Sequence, residues 1–185
     1  MSVLEVTFPD EWLSLPRRST AVVARPVTPG GVCTRSAPPV TGMRSAGALR
    51  ALTDPDFDGL ACFALPNEGS IEGIQAFCAI GVVHDVTGTP AELRAVAESG
   101  RHPGLDRDTL TVELSVGTAV RSSAFRFADE LLADEAVVPF AAEIRFALPL
   151  PGRRIGVLHF ETLTLRCFEQ LEYLFDTIAG TARVA

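Results

Sequence analysis

Lysine is absent: all 16 basic residues are arginine. A lysine nucleophile or Schiff base is therefore excluded. Histidine is scarce; His84, His102 and His159 are the only three, and none stands in an HxH, HExxH or mixed Cys/His spacing. The sequence thus carries no metal-ligand pattern, and no metal or other cofactor is expected. The four cysteines, Cys33, Cys62, Cys78 and Cys167, include no CxxC pair. No apolar run approaches the ~20 residues that a bilayer-spanning helix needs. Met1 to Leu15 shows neither a basic n-region nor an apolar h-region, so a cytoplasmic location, free thiols and no membrane insertion are expected.

Positive charge is also in deficit. Sixteen basic residues face 23 acidic ones, for a net charge of -7. A nucleic-acid binder normally presents a basic face to phosphates, so no nucleic-acid partner is expected. Attraction to an anionic membrane surface is disfavoured on the same ground.

What is plentiful is apolar material: 47% of 185 residues. A chain of this length buries roughly 70% of its unfolded surface. Residues 1–185 read as one domain, without a linker or internal repeat.

Leu4, Val6 and Phe8 alternate with Glu5 and Thr7, a half-buried strand that Pro9 ends. Asp10 can cap a short turn carrying Trp12 and Leu13. Thr20 to Val27 reads as a strand, with Pro26 suited to an edge. Thr28 to Arg44 is a Pro- and Gly-rich loop, with a candidate short strand at Val32 to Thr34, and Ser45 to Asp54 is ambiguous between helix and strand. Gly59 to Leu65 and Ile74 to Val83 flank the turn residues Pro66 to Ser70 and form a candidate hairpin.

Thr89-Pro90-Ala91-Glu92 is a capping box with proline at the first helical position. It predicts a helix to about Ser99, closed by Gly100. Leu110, Val112, Leu114 and Val116 alternate with Thr111, Glu113 and Ser115; Gly117 then interrupts as a candidate bulge, and the chain continues extended from Ala119 to Phe127. Asp129 to Glu135 reads as a helical turn or loop. Phe140 to Leu148 and Ile155 to Phe160, around Pro149-Leu150-Pro151-Gly152-Arg153, are the strongest hairpin signal, with Ile144, Phe146 and Leu148 on one face and Glu143 and Arg145 on the other. Thr162 can cap a last helix whose stripe is Leu165, Phe168, Leu171, Leu174, Phe175 and Ile178, with Glu169, Glu172 and Asp176 outward and Gly180 at its end.

Reactive constellations are few. Cys62 and Cys78 sit in apolar runs and read as small buried hydrophobes. Cys167 and His159 could approach as a thiol–imidazole pair, although a structural thiol and a strand imidazole fit the pattern better. Ser45, Ser122 and Ser123 lack a G-x-S-x-G setting. Pro29-Gly30-Gly31 is no phosphate loop. Asp54, Asp56, Asp58 and Gly59 imitate half a calcium loop, but the twelfth position is Leu65, where a bidentate Glu is needed. No residue is therefore assigned as catalytic, cofactor-binding or metal-ligating.

One resemblance goes further. Val112-Glu113-Leu114-Ser115-Val116-Gly117-Thr118-Ala119-Val120-Arg121, the Pro149-Leu150-Pro151-Gly152 turn, Leu158-His159-Phe160-Glu161-Thr162 and Leu174-Phe175-Asp176-Thr177-Ile178-Ala179 follow one another over about the last 75 residues. This order resembles actinobacterial proteins of the Mog1/PsbP-like group, and the opening strand with Pro9-Asp10-Glu11-Trp12 is compatible with it. The resemblance implies an antiparallel sheet between helices, an α/β/α sandwich, and a function in binding other proteins; it transfers no functional residue. Independently, alternating strands and a few amphipathic helices predict an α+β fold, an antiparallel β-sheet flanked by helices. The expected function is a non-enzymatic, cytoplasmic protein-binding, adaptor or chaperone-like domain, with a protein partner and a homodimer open to it. The alternative is a small-molecule binder or enzyme with an apolar pocket. Converging His, Arg and carboxylates in a deep cavity would favour that alternative, and an exposed apolar patch the first reading.

Overall fold

The alternating and β-branched runs of the sequence fold into ten strands in the computed structural model, which describes residues 4–10, 12–15, 22–26, 58–65, 76–99, 107–127, 139–162 and 164–185, with backbone alone at 13–15, 22–26, 58–65, 107, 126–127 and 139–140. The strands are β1 (Leu4–Phe8), β2 (Leu13–Leu15), β3 (Val22–Pro26), β4 (Asp58–Leu65), β5 (Ala76–His84), β6 (Arg107–Leu114), β7 (Gly117–Phe127), β8 (Pro139–Leu150), β9 (Arg154–Thr162) and β10 (Arg183–Val184). Helix α1 spans Pro90–Glu98; helix α2 spans Phe168–Gly180, after a 3-10 turn at Leu165–Cys167.

The large sheet has the order β2-β4-β5-β9-β8-β7-β6, and its pairings are antiparallel. A second, small sheet runs β10-β1-β3, with β1 antiparallel to β10 and parallel to β3. The class is α+β, with helices flanking an antiparallel sheet, as the strand and helix periodicities require.

Side chains alternate across the sheet, so each strand serves two faces. Ile80, Ile144, Phe146, Leu148, Leu158 and Phe160 point to one face. There they meet Leu171, Phe175 and Ile178 of α2, together with Leu4, Val6 and Phe8 of β1 and Trp12. Val120, Ala147, Ile155 and Val157 point to the other face and meet Leu93 and Ala97 of α1. Ile144, Phe146 and Leu148 thus share a face as their spacing predicts. Gly156 leaves room for the Leu4 side chain on the α2 face: a Cβ there would meet Leu4 Cδ2 at 2.9 Å.

The capping box forms as expected. Thr89 Oγ1 accepts from the Glu92 N–H at 3.3 Å, and Glu92 Oε2 accepts in return from the Thr89 N–H at 3.0 Å. The hydroxyl of Thr87, then the backbone N–H of Thr89, pull the Glu92 carboxyl down from 4.5 to about 2. Pro26 lies at the end of the edge strand β3, the place in a sheet that best tolerates a missing N–H.

Several expectations need correction. Gly117 is not a bulge in a continuing run. The chain reverses at Ser115 and Val116, and β6 and β7 pair from Leu114↔Gly117 to Arg107↔Ala124. Gly117 carries φ 116, a value that L side chains rarely adopt, so glycine is what lets the chain re-enter the ladder. Leu13 begins β2 rather than completing a turn. Thr162 does not cap the last helix: it ends β9 and accepts from the Thr164 N–H at 3.0 Å, and α2 begins at Phe168 without a side-chain cap. The segments 28–54, 66–70 and 129–135, and Gly100, lie outside the described residues.

Candidate functional site

Among the described residues, two places bring polar or reactive chemistry together, one on each face of the sheet. On the α1 face, the apolar floor under the helix gives way along the strands to a polar row. Register sets Ser122 beside Arg145 and Arg145 beside His159, with Glu143 beside Glu161 one step further on. His159 and Glu161 are each only 2% exposed, and Glu143 and Ser122 are buried with them. Arg145 ties the row together. Its Nε donates to His159 Nδ1 at 3.4 Å, and its Nη1 donates to Ser99 Oγ, just past the end of α1, at 2.9 Å. His159 Nε2 lies 3.9 Å from Glu161 Oε2, beyond hydrogen-bonding distance. Ser122 Oγ accepts from Thr109 Oγ1 at 3.3 Å.

An imidazole, a guanidinium and two carboxylates are the materials of acid–base work and anion recognition. The row lacks an activated nucleophile. Ser122 stands two strands from His159, about 9–10 Å between backbones, beyond a serine–imidazole hydrogen bond. Among the described residues no group of three or more His, Cys, Asp or Glu could hold a metal ion.

On the α2 face a second polar group pins the helix to the sheet. Arg121 of β7 is buried; its Nε donates to Asp176 Oδ1 at 2.8 Å and its Nη2 to Glu172 Oε1. Burial pulls the guanidinium pKa down, but Asp176 and Glu172 outweigh it and the net shift is upward, so the group stays a cation. Glu172 and Asp176 therefore lean to the sheet, where the sequence pattern placed them outward; Glu169 is exposed as expected. At the far end of α2, Ser115 Oγ donates to the carbonyls of Gly180 and Ala182, and Thr181 Oγ1 accepts from the Thr7 N–H at 2.9 Å.

Around this anchored helix lie the exposed large hydrophobic side chains of the described residues: Leu110 (37%), Phe125 (38%) and Tyr173 (76%). Leu110 faces the same side as its neighbour Arg121. Phe125 packs on Phe168 at the start of α2, ring centroids 5.1 Å apart.

The residues singled out from sequence fall as follows. Cys167 packs against the α2-face core, whereas His159 points to the α1 face, so the thiol and the imidazole are on opposite sides of the sheet. Cys78 is buried and in no disulfide, as its apolar run predicts; the side chain of Cys62 lies outside the described ones. His84 is exposed at the end of β5. His102, Ser45 and positions 54–57 of the acidic turn lie outside the described residues. The Arg145–His159 row was not found from sequence, yet a signal existed. Taking the turn at Pro151 to Arg153 as the centre of the hairpin sets Arg145 opposite His159 and Glu143 opposite Glu161. The Arg121 group joins residues more than fifty positions apart and had no such local signal.

No protein-family model matches the chain, and no curated protein matches it. Among the described residues, no helix is long and apolar enough to cross a membrane.

Proposed function

We propose that this chain is a non-enzymatic, protein-binding domain of adaptor or chaperone type, acting in the cytoplasm through the surface around α2. One observation carries the reading: Leu110, Phe125 and Tyr173, the exposed large hydrophobics among the described residues, all belong to the α2 side of the sheet. Large aromatic side chains are favoured at protein interfaces. The Arg121 ion pairs and the Ser115 and Thr181 hydrogen bonds hold α2 in place before a partner arrives, which lowers the ordering cost of association. Exposed Glu169 and half-exposed Glu172 and Asp176 add an acidic rim. The complementary partner surface is apolar with basic residues. The resemblance to the Mog1/PsbP-like group, whose members mostly bind other proteins, agrees with this.

The test is affinity purification of the tagged chain from its native host, with mass spectrometry, beside a Phe125→Glu/Tyr173→Glu double variant. A partner recovered with the native chain and lost with the variant supports the reading. Equal recovery from both refutes this surface. A second reading, a small-molecule site, is favoured by the convergence of Arg145, His159, Glu143 and Glu161. A partner lost on His159→Gln but kept by the aromatic variant would shift the assignment to that face.

A further inference from the structure

The two edges of the large sheet are unlike. Among the described residues, one ends in β2, three residues long, and short edge strands are poor templates for pairing. The other ends in β6, eight residues long, which among the described residues pairs with β7 alone. Edge strands of monomers commonly carry a charge near their centre as a guard. The centre of β6 is Thr109-Leu110-Thr111, and Leu110 is solvent-exposed at 37%. The charges stand toward the ends: Arg107 and Asp108 on one side, Glu113 on the other.

We infer that β6 pairs antiparallel with β6 of a second copy of this chain, about a two-fold axis at Leu110, joining the two large sheets edge to edge. A two-fold axis normal to a sheet keeps each face on its own side, so an antiparallel pairing must centre on a residue. Centring on Leu110 makes Arg-Asp-Thr-Leu-Thr-Val-Glu complementary to itself. Leu110 meets Leu110 of the second copy, Thr109 meets Thr111, and Arg107 meets Glu113, the last two contacts occurring twice by symmetry. Opposite charges and Thr–Thr pairs directly across strands stabilise a ladder, and Asp108 meets only the uncharged Val112. Centring on Thr109 sets Arg107 against Thr111, and centring on Thr111 sets Asp108 against Leu114, so both lose the charge pairs. Charge complementarity thus selects both the occupant and the register. The interface takes Leu110 at the margin of the surface proposed above and leaves Phe125, Phe168 and Tyr173 uncovered for the partner. It does not depend on that partner.

Sedimentation equilibrium of the full chain, loaded from about 1 to about 200 µM, is the experiment. The expected result is a weight-average mass rising from 19.7 kDa toward twice that value. Leu110→Lys places two like charges on the axis and should weaken the dimer at least tenfold while leaving the melting temperature of the monomer unchanged. Glu113→Arg should weaken it similarly by facing Arg107. The swap Arg107→Glu/Glu113→Arg should restore the affinity to within about threefold of the native chain, a rescue that a mere folding defect would not give. A mass that stays at 19.7 kDa throughout, a dimer untouched by Leu110→Lys, or a swap that fails to rescue would each overturn the inference.

Discussion

Replacing Phe175 should cost more than its hydrophobic area suggests. The ring is fully enclosed at the centre of the α2 stripe and stacked on Phe160, with centroids 4.6 Å apart and planes 14° apart. Trp12 stands edge-on to both rings, at 6.3 and 6.4 Å. Truncating a buried Phe to Ala costs about 3–5 kcal/mol, transfer and cavity together. Phe175→Leu keeps most of the volume, so about 1–1.5 kcal/mol is expected, mainly the lost ring contacts. In a double-mutant cycle with Phe160→Leu, the coupling should be about 0.5–1.5 kcal/mol, the range for aromatic pairs beyond area burial. A domain holds only about 5–15 kcal/mol in all, so Phe175→Ala should remove a large fraction of it. Urea unfolding followed by the fluorescence of Trp12, the one tryptophan, reads these values directly at the packing site. A loss below about 1 kcal/mol for Phe175→Ala, with an unchanged urea slope, would refute the placement of α2 against the β8–β9 strands.

Arg121→Met should cost only about 1–2 kcal/mol, because the two carboxylates it abandons, 35% and 46% exposed, can turn to water. Urea midpoints check this, and a loss above about 4 kcal/mol would show that the acids are sealed in. The Glu92 carboxyl, held down to about 2, binds fewer protons folded than unfolded between its ordinary 4.5 and that value. Its contribution is therefore complete above about pH 4.5 and is lost as the pH falls through about 2. Urea midpoints from pH 5 to 2 should fall more steeply for the native chain than for Glu92→Gln; parallel curves would contradict the capping-box geometry.

The α+β class, the β8–β9 hairpin and the start of α1 were legible because each is written in short-range chemistry. A Pro/Gly turn lies between alternating arms at 149–153, and Thr89, Pro90 and Glu92 occupy consecutive cap positions. The β6–β7 hairpin was not legible. Its two turn residues are Ser115 and Val116, without the Asn-Gly or Asp-Gly signature, and apolar alternation runs straight up to them. The start of α2 was misplaced because Thr162 offers a good capping side chain that the structure spends as the last residue of a buried strand. The polar row failed for a different reason. Glu143 and Arg145 look like a solvated face when one strand is read alone, yet Glu143, His159 and Glu161 are buried, and α1 packs on the apolar residues of the same face. Burial on both faces is a tertiary fact, and period-two alternation within a strand does not encode it.

The central claim is that the surface around α2 is where a protein partner sits. Hydrogen–deuterium exchange of the chain with and without the partner recovered from the host tests it most directly. Slower exchange is expected in peptides covering 121–127 and 165–177, around Phe125, Phe168 and Tyr173, with 141–147 and 155–161 unchanged. Protection confined to 141–147 and 155–161, the strands that carry Arg145 and His159, would contradict it.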